Sequence, residues 1–249
     1  MIQRPDFNLP RLLPQIPPTG PIVVNGTSGN DTITVKPTKD GGVVVDVNGH
    51  KTHYSAEEAK RLVINAGNGN DKIYVDPKVK QGITINGGNG NDTITGGSGN
   101  DRISGGNGND VVSAGAGNDV VDAGFGNDKV WGGSGNDRIY GGFGNDQIVA
   151  GSGNDYVDAG YGNDKVWGES GNDHIDAGAG NDKVYAGSGN DLVHAGAGND
   201  FVDGQSGNDR LYGEDGHDHI HGGTGFDHLD GGRGLDLLQW QPGFPHIVR

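Results

Sequence analysis

Cysteine is absent from the 249 residues, which excludes a disulfide, a zinc–thiolate site and a thiol nucleophile. No apolar run reaches 18 residues, so the sequence offers no membrane span. Basic residues are scarce. There are 18 Lys and Arg against 33 Asp and Glu, and the resulting charge of −15 argues against nucleic acid or an anionic membrane as partner. Hydrophobic residues make up only 31%. Low hydrophobicity with high net charge marks a chain that buries too little apolar surface to order itself unaided. The HExxH and GxSxG signatures are both missing, and no amphipathic or apolar helix suits a pore. The chain reads as non-enzymatic. The opening MIQRPDFNLPRLLPQIPPTG lacks the apolar core of a Sec signal peptide and reads as an extended proline-rich arm, residues 1–20.

Glycine is what the chain has in excess, 51 residues against a usual ~7%. Collagen would need glycine at every third position with much proline, and neither occurs. The stretch GGSGNDRIYGGFGNDQIVAGSGND, from Gly132 to Asp155, places Asp137, Asp146 and Asp155 nine apart. That period runs without slipping from Gly87 to Gln239, in 17 units. The sixth slot is Asp in every unit: Asp92, Asp101, Asp110, Asp119, Asp128, Asp137, Asp146, Asp155, Asp164, Asp173, Asp182, Asp191, Asp200, Asp209, Asp218, Asp227 and Asp236. The fourth slot is Gly, from Gly90 to Gly234, and the eighth is aliphatic, from Ile94 to Leu238. The fifth is Asn until His217, Phe226 and Leu235 take it over, and Asn there suits a left-handed backbone. Side chains alternate along a strand, so the eighth slot points inward and the seventh and ninth outward.

This pattern resembles the RTX (repeats-in-toxin) nonapeptide G-G-x-G-x-D-x-U-x, over about 60% of the chain. The resemblance implies an all-β fold, a right-handed parallel β-roll or β-helix solenoid. Each hexamer would be a turn and each following triplet a short strand, with two units per coil. Ca²⁺ would sit between turns of successive coils, with aspartates 18 residues apart as partners. Stacked aspartates repel, and a hard divalent cation removes that repulsion while using carboxylates and turn carbonyls as ligands. Nine aspartates in one column and eight in the other leave gaps for about 15 Ca²⁺ ions. Without Ca²⁺ the chain is expected to be disordered.

Residues 21–86 depart from the period. GTSGND ends at Asp31 and AGNGND at Asp71, a further candidate ligand, with spacings of 40 to Asp71 and 21 on to Asp92. TITV, GVVVDV and ITI read as strands. Ser55-Ala56-Glu57-Glu58 reads as a capping box opening a short helix through Leu62. An open stack needs a cover, so 21–86 reads as an irregular N-terminal β-helical cap, with a small separate domain as the other reading. Residues 87–239 form the roll. Residues 240–249 form a C-terminal cap or tail, with Trp240 and Phe244 closing the end.

Among outward positions, Trp131, Val149, Trp167 and Tyr185 succeed one another at 18-residue intervals, with Lys129, Gln147, Lys165 and Lys183 beside them. Phe125, Phe143 and Tyr161 belong to the same units, so an aromatic, lysine-flanked face is expected on one side, the other being more polar. A ladder that merely stabilises the sheet, self-association through Trp131, Trp167 and Tyr185, and a protein or carbohydrate partner all fit it. His217, His219 and His221 occur as HDHIH, where a solvated strand and a transition-metal site are both open.

Two functions stand. One is a secreted, extracellular Ca²⁺-binding structural or binding module of a bacterium, folding on Ca²⁺. The other is the non-catalytic Ca²⁺-binding portion of a larger secreted enzyme, toxin or type III effector. The resemblance implies a type I-like export route, although only about ten residues follow the repeats.

Overall fold

The computed structural model describes residues 20–239 and the strand Ile247–Val248. Residues 1–19 of the expected arm, and Trp240 and Phe244 of the expected end, lie outside the described residues. The chain forms a parallel β-solenoid, two strands to each 18-residue coil. One file of strands makes a 12-stranded sheet and the other a 13-stranded sheet. Register follows the sequence period. Val112, Val130, Ile148 and Val166 are successive partners in one sheet, and Val121, Ile139, Val157 and Ile175 in the other. These eighth-slot residues are fully buried, and with alanines such as Ala114 and Ala123 they form one continuous core. The eighth-slot row of each sheet faces the other sheet rather than water, so it is apolar throughout.

Strands in the roll are longer than the expected triplets. Most span six residues, as in Val111–Ala116, Lys129–Ser134 and Arg138–Phe143, running from the seventh slot into the third slot of the next unit. The added half-strand pairs across coils as well, Gly115 with Gly133 and Ala116 with Ser134. Glycine makes this possible at the second slot. Gly133 has φ 111°, and a Cβ there would stand 1.9 Å from the carbonyl oxygen of Gly115 in the preceding coil. Only the Gly-Asn-Asp at slots four to six remains as turn.

Before the roll, β1 (Ile22–Asn25) is followed by β2 (Thr32–Pro37), β3 (Val43–Val47) and β4 (His50–Tyr54). α1 (Ala56–Ala59) precedes β5 (Leu62–Asn68), β6 (Lys72–Val75), β7 (Thr84–Asn89) and β8 (Thr93–Thr95). β1, β5 and β7 pair in order into the 12-stranded sheet, and β2, β6 and β8 into the other. β3 adds antiparallel to β2, and β4 adds antiparallel to β3 at the sheet edge. The Ser55 capping box forms with Glu58, but the helix is a single turn ending at Ala59. The expected reach to Leu62 fails because Leu62 is buried at the start of β5, whose parallel pairing with β1 overrides helical continuation.

Candidate functional site

Each repeat aspartate enters the turn just before the inward aliphatic residue, two positions away and on the same side of the backbone. The carboxylates therefore point inward and are buried from Asp71 through Asp227. They stand in two files. In one, the N–H of Asp92 donates to Oδ1 of Asp110 at 2.7 Å, that of Asp110 to Asp128 at 2.7 Å, and so on to Asp236. In the other, Asp119 donates to Asp137 at 2.8 Å and Asp137 to Asp155 at 2.7 Å, continuing to Asp227. The first file extends across the irregular spacings, through Asp31 to Asp71 at 2.7 Å and Asp71 to Asp92 at 2.8 Å.

One oxygen of each carboxylate is thus satisfied by a backbone donor. The other is not. The Oδ2 atoms of Asp71, Asp92, Asp110, Asp119, Asp128, Asp137, Asp146, Asp155, Asp164, Asp173, Asp182, Asp191, Asp200, Asp209 and Asp218 are buried without a hydrogen-bond partner. A buried carboxylate oxygen with no partner is costly. Burial raises the pKa of these groups and the backbone hydrogen bond opposes the rise, while at Asp92, Asp110, Asp119, Asp128, Asp137, Asp164, Asp173, Asp200 and Asp209 a neighbouring aspartate of the file adds to it. Asp92, Asp110, Asp128, Asp137, Asp146 and Asp182 are raised to about 6. Asp119, Asp164, Asp173, Asp200 and Asp209 reach about 7.

The donor set suits a hard cation. Among the described residues no three His, Asp or Glu side chains gather into a metal cluster, so ligands beyond the carboxylates must come from the backbone. Carbonyls are at hand. A Cβ placed on Gly105 would lie 2.5 Å from Oδ2 of Asp110 and 2.6 Å from the carbonyl oxygen of Ala123, one coil on. At Gly132 the same point lies 2.7 Å from Oδ2 of Asp137 and 2.4 Å from the carbonyl of Ala150. In these units the orphaned oxygen of one coil and a carbonyl of the next therefore face the same small space beside the first slot, a slot that Ala114, Ala123 and Ala150 fill with a methyl group elsewhere. All donors are oxygen, the preference of Ca²⁺ rather than of a thiolate- or imidazole-seeking metal.

Both files begin with a carboxylate the protein satisfies itself. Oδ1 of Asp101 accepts from Ile83 N–H and Oδ2 from Gly97 N–H, at 2.7 and 2.9 Å. At Asp31, Oδ2 accepts from Thr27 N–H at 2.6 Å, and Oδ1 accepts from the Thr27 hydroxyl at 2.9 Å and from the Asn48 amide. Burial pushes Asp31 upward, yet these donors hold it below the usual carboxylate range. Asp236, at the far end, is half-buried and accepts from Asp218 N–H at 3.1 Å.

The fifth-slot asparagines do something the sequence reading missed. None adopts a positive φ, which Asn48, Glu169, Gln205 and Glu214 do. Instead the Oδ1 accepts the N–H of the fifth-slot residue one coil later, as Asn136 does from Asn154 at 2.8 Å and Asn199 from His217 at 2.9 Å. Their recurrence at every ninth position was the available signal. The aromatic face also divides differently from expectation. Phe125, Phe143 and Tyr161 end strands of the 12-stranded sheet, whereas Trp131, Trp167 and Tyr185 lie on the 13-stranded one. The 12-stranded sheet is not simply the polar one, since Tyr140, Tyr156, His174, His194 and Tyr212 run along it in ring contact. The reason is that strands continue into the third slot, so the third and ninth slots of one unit belong to opposite sheets. In HDHIH, His217 accepts from Leu235 N–H, His219 packs edge-on against Phe201, and His221 pairs with Asp203 at 3.0 Å.

A parallel β-solenoid whose turns file buried carboxylates along its length, most of them with an oxygen left for a hard cation, is the class that fold and site define. The RTX calcium-binding nonapeptide repeat model matches residues 84–112, 113–148, 149–184, 177–211, 185–220 and 212–238, together well over half of the chain. The protein belongs to this family, and its repeats imply calcium binding. Among solved structures, similarity is found to a hyperactive, Ca²⁺-dependent, β-helical antifreeze protein from an Antarctic bacterium. The identity is 20% over 92% of this chain and 81% of that one, with a TM-score of 0.45, too low to bear on function. No curated protein matches.

Proposed function

We propose that the protein is a secreted, non-catalytic Ca²⁺-binding module that folds when Ca²⁺ fills the spaces between successive aspartates. The observation that carries this is the row of buried Oδ2 atoms without partners. Each must be protonated, unfold into water or meet a cation, and at neutral pH outside the cell the abundant candidate is Ca²⁺. The ligands are Asp71, Asp92 and the repeat aspartates from Asp110 on to Asp236, together with turn carbonyls, Asp101 being satisfied by Ile83 and Gly97, and about 15 ions occupy the spaces between them. Ca²⁺ supplies positive charge and joins adjacent coils. The chain supplies oxygen donors and the hydrogen bond that orients each carboxylate.

Such a fold suits export. Extracellular modules bind Ca²⁺ with Kd of about 10⁻⁴–10⁻³ M, so the chain stays unfolded inside a cell and folds outside. Circular dichroism in EDTA and in millimolar Ca²⁺, with ion counting by equilibrium dialysis, tests the proposal. A β spectrum appearing with cooperative uptake of about 15 ions is expected. An unchanged β spectrum in EDTA at neutral pH would overturn it.

A further inference from the structure

Two outward rows, one on each sheet, carry opposite charge at matching intervals, with Arg102, Arg138 and Arg210 also on the acidic side and Glu169 beside the lysines. On the 12-stranded sheet, the outward ninth slot holds Asp122, Tyr140, Asp158 and Asp176 in four successive coils. On the 13-stranded sheet, the outward seventh slot holds Lys129, Gln147, Lys165 and Lys183 in the same coils. The order on both faces is charged, uncharged, charged, charged. On the lysine face no acidic residue occupies a seventh or ninth slot from Thr93 to Phe201, although the chain as a whole is strongly acidic.

Each face also contains a repulsive pair. Asp158 and Asp176 are in-register neighbours on adjacent parallel strands, and so are Lys165 and Lys183. Like charges side by side at about 4.8 Å destabilise a sheet. Burial and the nearby Asp176 raise the pKa of Asp158. None of these aspartates or lysines joins an ion pair among the described residues, and Arg138, on the acidic face, pairs with none of them. Flat rings stand among the charges. Trp167 stacks on Tyr185 at 6.0 Å and 10°, and Tyr140 lies 6.1 Å from Tyr156 on the other face.

We propose that the folded chain self-associates by laying the lysine face of one copy on the aspartate face of the next, axes parallel and coils in register. A partner must present charge at the coil interval, which another copy of this solenoid does by construction. The uneven order of charges fits only when both axes run the same way. Three Asp–Lys pairs then form together, and each repulsive pair is relieved by the opposite one. The two surfaces differ, so the contact is head-to-tail and does not close, and each copy offers both faces to further copies.

Sedimentation velocity of the chain in saturating Ca²⁺, over a range of protein concentration and salt, reads this out. Circular dichroism of the same samples separates failure to fold from failure to associate. The parent should form assemblies that weaken with salt. The variants K165E/K183E and D158K/D176K should each fold and associate about tenfold or more weakly. Mixed one to one they should associate again, because each offers the charge the other lacks. A parent that stays monomeric at all concentrations overturns the proposal. So do folded variants that associate like the parent, a mixture that does not recover, or assemblies insensitive to salt.

Discussion

The backbone N–H of Asp137 donates to Oδ1 of Asp155 in the following coil at 2.7 Å, while the N–H of Asn154 donates back to Oδ1 of Asn136 at 2.8 Å. Adjacent slots of one turn thus hydrogen-bond in opposite directions along the solenoid. The asparagine file is neutral and complete in itself. The aspartate file is charged, buried and one partner short at each step, so it alone demands something from outside the chain.

Position within the file should govern Ca²⁺ affinity. Asp155 lies between Asp137 and Asp173, and a ligand there faces spaces on both sides. Asp236 ends its file. Calorimetric titration of Asp155→Ala should show a larger loss of affinity, and a larger drop in ion number, than Asp236→Ala. Equal titration midpoints would contradict shared ligation.

Asp31 should matter to stability and not to ion number. Thr27 and Asn48 satisfy both of its oxygens. Asp31→Ala removes several hydrogen bonds to a charge and should cost about 2–4 kcal/mol in denaturant unfolding with Ca²⁺ present. Equilibrium dialysis should count the same ions as for the parent. A lost ion would show Asp31 to be a ligand.

The metal-free chain should prefer acid. Asp119, Asp164, Asp173, Asp200 and Asp209 have folded pKa values raised to about 7, against about 4 when unfolded. The folded state then holds more protons than the unfolded one. Its stability is fullest below about pH 4 and is lost as pH rises through about 7. In EDTA, β structure by circular dichroism should be greater at pH 4 than at pH 8. In titrations, Ca²⁺ should bind more tightly at pH 7.5 than at pH 5.5, with proton release. A pH-independent affinity would sink this account.

Gln205 occupies a second slot where most units have glycine, with φ 65°. A side chain in the left-handed region costs about 1–2 kcal/mol. Its carbonyl, which accepts from Thr224 N–H, survives substitution. Gln205→Gly should therefore raise the denaturation midpoint in Ca²⁺. A lowered midpoint would mean that the amide side chain has a contact outweighing the strain.

The three rings Phe125, Phe143 and Tyr161 stack at 5.0 and 4.9 Å with planes within 5°. Phe143 touches two rings and Phe125 one. Each contact adds about 0.5–1.5 kcal/mol beyond burial. Phe143→Ser should destabilise the folded protein by more than Phe125→Ser, measured by thermal unfolding in Ca²⁺. Equal losses would show that the stack contributes nothing of its own.

The primary structure by itself determined the repeat. A residue that recurs every nine positions meets its counterpart 18 later whenever two units make a coil. The buried row from Ile94 to Leu229 and the inward files of aspartate were therefore legible before any coordinates. Strand alternation placed Lys129 and Trp131 outside and Val130 inside for the same local reason. Tertiary structure decided what depends on where a strand stops. Because backbone pairing continues into the third slot, Phe125 and Trp131, six residues apart, fall on opposite sheets. It also decided how each file begins. Asp31 and Asp101 carry the same residue type as the sites that follow, but Thr27 and Gly97, four residues earlier in the same turns, donate to them, and Asn48 reaches Asp31 only because β3 folds back on β2, a contact that leaves no periodic trace.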